Sequence, residues 1–165
     1  MIRTAVATAA VALATAVAPL CAADPVAPQQ DQLCPPTADE ATTMPTTPAP
    51  ASGANTPLQC HQGRWQPVAL PAEPSDRWWS TGPVIALHGQ GMRNPNLMSG
   101  KWSGTPLGPG NRCHVEQRVV VSAGVVSAPV ATDGAPDETL HFDVAPTASS
   151  IEFSGYCLWT RLGES

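Results

Sequence analysis

The stretch Cys113-His114-Val115-Glu116-Gln117-Arg118-Val119-Val120-Val121 decides the fold class of this chain. Odd positions place Cys113, Val115, Val119 and Val121 on one face, while His114, Glu116 and Arg118 take the other. Gln117 is the polar exception on the apolar face. Successive side chains of an extended strand point to opposite sides, so this period of two marks a strand buried on one face. The pattern recurs downstream. Leu140, Phe142 and Val144 alternate with His141 and Asp143; Ile151 and Phe153 flank Glu152, and their parity continues through Cys157 to Trp159. Weaker strand candidates cover 65–70, 83–88, 97–104 and 124–131. Turn residues separate them: Asn94-Pro95-Asn96, Gly108-Pro109-Gly110-Asn111 and Asp133-Gly134-Ala135-Pro136. No helical period persists over about ten residues. The expected architecture is all-β, an antiparallel β-sandwich of about seven short strands over residues 58–165.

Upstream the composition changes. Residues 24–57 carry almost no aromatic or β-branched aliphatic side chains and include Thr42-Thr43-Met44-Pro45-Thr46-Thr47-Pro48-Ala49-Pro50. Ordering backbone costs roughly 1–2 kcal/mol per residue, and such a segment has little apolar area to offset it. The reading is a disordered, partly polyproline-like Pro/Thr/Ala-rich stalk or linker. Before it, Met1-Ile2-Arg3, an Ala/Val/Leu run to Leu20 and the small residues Cys21-Ala22-Ala23 make residues 1–23 a cleavable signal peptide. Ala and Thr dominate the run and Pro19 breaks it, so a stable membrane span is not expected. Pro19-Leu20 before Cys21 argues against acylation of that cysteine.

Cleavage after Ala23 removes Cys21 and leaves Cys34, Cys60, Cys113 and Cys157. An even cysteine count behind an export signal points to disulfides in an oxidising compartment, secreted or associated with the cell envelope. Four cysteines allow three connectivities. Parity puts Cys113 beside Val115 and Cys157 beside Phe153 and Trp159, which favours Cys113–Cys157 across the sandwich interior. Elimination then pairs Cys34 with Cys60, clipping the stalk to the first strand.

The formal net charge is −5, one unit more negative once Arg3 is removed, and Lys101 is the only lysine. Such a chain has no basic patch to neutralise phosphates, which argues against a nucleic-acid partner. Charged residues make up 13% of the chain, against about 25% in typical domains, so Ser, Thr, Gly and Pro must cover the surface.

Several short motifs carry a family resemblance. Asp24-Pro25 opens the mature chain, Gly100-Lys101-Trp102 precedes Cys113, and Cys157-Leu158-Trp159 forms a Cys-x-Trp element. Cys60-His61-Gln62-Gly63-Arg64-Trp65 reads as a hairpin whose Gly turn returns a Trp over a disulfide. In these features the chain resembles small exported actinobacterial (mycobacterial-type) β-rich proteins. The resemblance implies a β fold and an envelope location, and brings no established activity.

Candidate chemistry is sparse. Val84-Ile85-Ala86-Leu87-His88-Gly89-Gln90-Gly91 is similar to the strand and His-Gly-x-Gly loop that supply oxyanion-hole amides in α/β-hydrolases. No Gly-x-Ser-x-Gly elbow accompanies it, so a small secreted hydrolase built on His88 is only the alternative reading. His114-x-Glu116 and His141-x-Asp143 share strand faces but lack a third ligand at metal spacing, so no metal and no cofactor are expected. Glu73 with Asp76, and Asp133 with Asp137 and Glu138, are acids that nothing in the sequence forces to converge. Of the five tryptophans, Trp78 and Trp79 are neighbours that must point to opposite faces of a strand. One of them, flanked by Arg77, is expected at the surface as a platform for a glycan or protein. The expectation is a non-enzymatic envelope-associated or secreted binding or structural protein. Trp78, Trp79 and Arg77 form its candidate surface, and the ligand is an unidentified cell-envelope glycan or protein.

Overall fold

The computed structural model describes residues 26–45 and 56–164. The expected signal peptide, residues 1–23, lies outside the described residues, as does the 46–55 part of the expected stalk. Ten strands follow one another among the described residues: β1 Thr42–Thr43, β2 Leu58–His61, β3 Arg64–Pro67, β4 Arg77–His88, β5 Gly100–Pro106, β6 His114–Ser122, β7 Val125–Val126, β8 Val130–Asp133, β9 Leu140–Val144 and β10 Ala148–Gly163. The fold is all-β, as the alternation predicts. Two strands are much longer than expected, and β1 runs parallel to β4 where the prediction was purely antiparallel.

The 16-residue β10 is the hub. β4 runs antiparallel along one of its edges from Arg77 to His88. The other edge is shared: Ala148–Ser154 pairs with β6, and Cys157–Gly163 pairs with β5. Beyond these, β5 carries β9 and β6 carries β7 and β8. The sheet therefore forks at β10, and its two leaves close over one face of that strand without forming a barrel. Phe142 of β9 meets Phe153 and Trp159 of β10 edge-on, with ring centroids 6.0 and 5.9 Å away. Phe153 stacks on Trp159 at 4.2 Å. Trp78, Leu87, Leu97, Trp102, Val115 and Ile151 fill the rest of this core.

Gln117 joins the two leaves. Its Nε2 donates to the Asp143 carbonyl at 2.9 Å and its Oε1 accepts from the Ala145 amide at 3.2 Å. The polar exception in an apolar row thus pairs backbone groups at the end of β9, which is how a buried-side amide becomes tolerable.

Parity in β10 survives a register shift. The pairing with β4 slips by one residue between Phe153 and Gly155, with the extra residue on the β4 side. Ile151, Phe153, Cys157 and Trp159 therefore stay on one face of β10. In β4 the inward set switches from Trp78 and Ser80 to Ile85 and Leu87. Gly155 sits in the bulge with φ 94°, and a Cβ there would collide with the Arg112 carbonyl oxygen, so only glycine fits.

The expected stalk is corrected over its described part. Residues 26–45 fold onto the opposite face of the sheet and form a second core. Cys34, Ala38 and Ala41 pack there with Leu58, Cys60, Trp65 and Trp79. The composition argument undercounted this segment because its apolar content is small residues. They need supply little area, since Trp65 and Trp79 bring large surfaces that the segment only has to cover.

Candidate functional site

Both disulfides are present: Cys34 is joined to Cys60 and Cys113 to Cys157. Such a pair of bridges fits an oxidising extracellular or periplasmic environment. Among the described residues no helix is long and apolar enough to cross a membrane.

The structure corrects the expected Trp platform. Trp78 is 1% and Trp79 3% exposed. The two rings do point to opposite faces, but each face has its own core, so neither reaches solvent. Trp79 lies 6.5 Å from Trp65 and 5.6 Å from Tyr156, both edge-on, beneath the N-terminal layer. Trp78 donates its indole N–H to the Ser75 carbonyl at 3.2 Å.

The third member of the expected surface, Arg77, opens a real concavity. A groove of about 540 Å³ lies ahead of β4. Its lining is apolar at Val68, Ala69, Pro71, Ala72 and Pro74 and polar at Gln59, Ser75, Asn96 and Arg77. The groove also gathers Glu40, Glu73 and Asp76, acids whose convergence no local pattern predicts. Glu40 arrives from the segment read as a stalk, so its place was not legible.

Each polar side chain is held by its element. Ser75 Oγ donates to the Arg77 carbonyl at 2.7 Å and accepts from Thr42 Oγ1 at 3.0 Å. Asn96 fixes its loop to the end of β4 by accepting the His88 amide at 2.7 Å. Two of the three acids are engaged: Glu40 with His61 Nδ1 at 3.2 Å, and Asp76 with Arg161 at 3.6 Å. Arg77 donates from Nη2 to the Thr37 carbonyl at 3.2 Å, while its Nε is buried without a hydrogen-bond partner. A buried, unpaired donor is costly and rare. The arrangement can hold a ligand against apolar side chains and fixed donors and acceptors.

The His88 loop is differently built from an oxyanion hole. Gly89 donates its amide to the Ser149 carbonyl at 3.2 Å and Gly91 to that of Ala148 at 2.7 Å, so both amides are consumed by β10. Glycine is required there by packing: a Cβ on Gly91 would lie 2.5 Å from the Thr147 oxygen. Gly91→Ala is accordingly expected to cost about 1–3 kcal/mol through overpacking, read as a lower urea midpoint with an unchanged slope.

Two further pairs involve titratable residues. His114 Nδ1 lies 2.7 Å from Asp133 across the β6–β8 ladder, and Glu116 holds Arg118 at 3.2 Å. Among the described residues no three His, Cys, Asp or Glu side chains cluster to hold a metal ion. Asp133 is thereby assigned to His114. Asp137 instead accepts the Gly110 amide at 2.6 Å.

No protein family, curated protein or solved structure matches this chain.

Proposed function

We propose that this is an exported, non-enzymatic binding protein, secreted or associated with the cell envelope. Its ligand, an envelope glycan or protein, seats in the groove ahead of β4. The observation that carries the reading is Arg77, a half-buried residue of the groove lining whose guanidinium is fixed by the Nη2 bond to the Thr37 carbonyl. The export signal of residues 1–23, the two disulfides and the resemblance to exported actinobacterial β-rich proteins support the compartment. Charge-assisted hydrogen bonds are worth roughly 1.5–3 kcal/mol, so a ligand acceptor on Arg77 gives this residue an outsized share of the affinity.

The test is co-sedimentation of the purified mature chain with isolated cell-wall fragments, untreated or stripped of protein by protease. Binding that survives protease identifies a glycan, and binding that is lost identifies a protein. Arg77→Ala is expected to weaken retention about tenfold or more, with Glu73→Gln altering its salt dependence. Circular dichroism checks that both variants are folded. Retention unchanged in both variants, or no retention of the wild type, overturns the proposal.

A further inference from the structure

The two disulfides occupy different environments. Cys113 and Cys157 are each 0% exposed and belong to the main core. Cys34 is 8% and Cys60 1% exposed, and together they line a surface depression of about 290 Å³ walled by Pro35, Pro36, Asp39 and Gly63. Space beside the bridge is open, since a Cβ built on Gly63 would meet nothing within 4 Å.

The layer that this bridge fastens is otherwise held lightly. Backbone hydrogen bonds tie Asp31 and Gln32 to Trp65, Cys34 to Gly63, and Glu40 and Ala41 to Cys60. Val26 and Leu33, the large aliphatic residues of the segment, are 76% and 75% exposed and bury almost nothing. Apart from the Arg77 bond to the Thr37 carbonyl, these contacts all run to the β2–β3 hairpin, and none runs to β10. What lies beneath is aromatic: Trp79 in edge-on contact with both Trp65 and Tyr156.

We propose that Cys34–Cys60 is a site of thiol–disulfide exchange, reduced by a dithiol while Cys113–Cys157 stays intact. Its opening releases residues 26–41 and uncovers the Trp65–Trp79–Tyr156 surface. One thiolate of the dithiol attacks a sulfur of the bridge. The Cys34–Cys60 bond breaks, a mixed disulfide forms, and the departing cysteine leaves as a thiolate that takes up a proton. The second thiol of the dithiol then displaces the bound cysteine. Two electrons have passed to the cysteine pair, and the dithiol has become a disulfide. Attack needs an approach to a sulfur; the depression reaches Cys34 and Cys60, whereas the main core encloses Cys113 and Cys157. Once cut, the segment keeps too little buried apolar area to offset the entropy of remaining ordered.

The probe is dithiothreitol, titrated against the native oxidised protein. Free thiols are alkylated at intervals and located by peptide mass spectrometry. Cys34 and Cys60 are expected to be labelled about tenfold or more faster than Cys113 and Cys157. Tryptophan emission should shift to the red in the same step, and protease should cut within residues 26–41. Equal rates, or earlier opening of Cys113–Cys157, overturn the selectivity. Selective labelling without an emission shift or new cleavage overturns the release. The Cys34→Ser, Cys60→Ser double variant should remain folded and show the shifted emission before any reductant is added. Global unfolding of that variant overturns the proposal, because release requires the main core to stand alone.

Discussion

Trp159→Ala is expected to destabilise this protein by about 3–5 kcal/mol, a large part of the roughly 5–15 kcal/mol that holds a typical domain folded. Trp159 is 0% exposed at the centre of β10, stacked on Phe153 and met edge-on by Phe142. Truncation removes the ring against which both leaves of the sheet close, and Gly104 of β5 packs directly beneath that ring. The indole N–H also donates to Ser80 Oγ at 2.9 Å, and that hydroxyl donates onward to the Gly155 carbonyl at 2.6 Å beside the bulge. Two further variants separate packing from hydrogen bonding. Trp159→Phe keeps an aromatic ring and leaves Ser80 its bond to Gly155, so it should cost clearly less than Trp159→Ala. Ser80→Ala strands the indole donor in the core and should cost about 1–3 kcal/mol. Urea unfolding followed by far-ultraviolet circular dichroism ranks the three. Equal losses for Trp159→Phe and Trp159→Ala would show that the hydrogen bond, and not the stack, dominates.

Loss of the Cys113–Cys157 bridge should be nearly as damaging. The bridge spans 44 residues, and on the chain-entropy view it removes about 4 kcal/mol of unfolded-state freedom. It also ties the start of β6 to the middle of β10, at the point where β10 changes partners from β6 to β5. Cys113→Ala with Cys157→Ala leaves two small apolar residues at fully buried positions, so a cavity term adds to the entropic one. The expected result is a thermal midpoint lowered by about ten degrees or more, taking about 2–4 °C per kcal/mol for a domain of roughly 150 residues. The Cys34→Ala, Cys60→Ala pair, at the edge of the fold, should lose less. A larger loss at Cys34–Cys60 would mean that the N-terminal layer, not the forked sheet, limits stability.

Much of the fold was legible because alternation is a local property. Val115 declares the buried face of β6 through the geometry of one strand, though Val119 is only half-buried and Val121, of the same parity, is 66% exposed; Ile151, Phe153, Cys157 and Trp159 declare that of β10. The switch of partners along β10 was not legible, since a strand paired on both edges reads the same whichever strands supply them. The bulge at Gly155 left β10 parity untouched and reversed that of β4. This is why 83–88 was recognisable as a strand, while its continuity with Trp78-Trp79 was not.

The candidate site was less legible, for a related reason. The rule that Trp78 and Trp79 point to opposite faces holds; the inference that one is exposed needed the second face to be bare. It is covered by residues whose individual side chains are too small to announce a core. Arg77 was singled out for its neighbours, and the structure keeps it at a groove while burying both tryptophans. Glu40, Asn96 and the proline walls join it only because β1 pairs with β4 and the Asn96 loop folds back on His88.

Local pattern and composition established that the chain is a β protein, that Val115 and the odd-numbered apolar residues of β10 face inward, and that chemistry-bearing residues are few. These follow from the two-residue repeat of extended backbone and from composition, and neither depends on distant neighbours. Long-range packing is what forks the sheet, seals a second core with a Pro/Thr-rich segment and sets Arg77 at a groove. Those outcomes depend on pairing between segments 26–79 residues apart, as at Cys34–Cys60 and Ser80–Trp159. At such separations, packing complementarity selects among partners that local patterns leave equivalent.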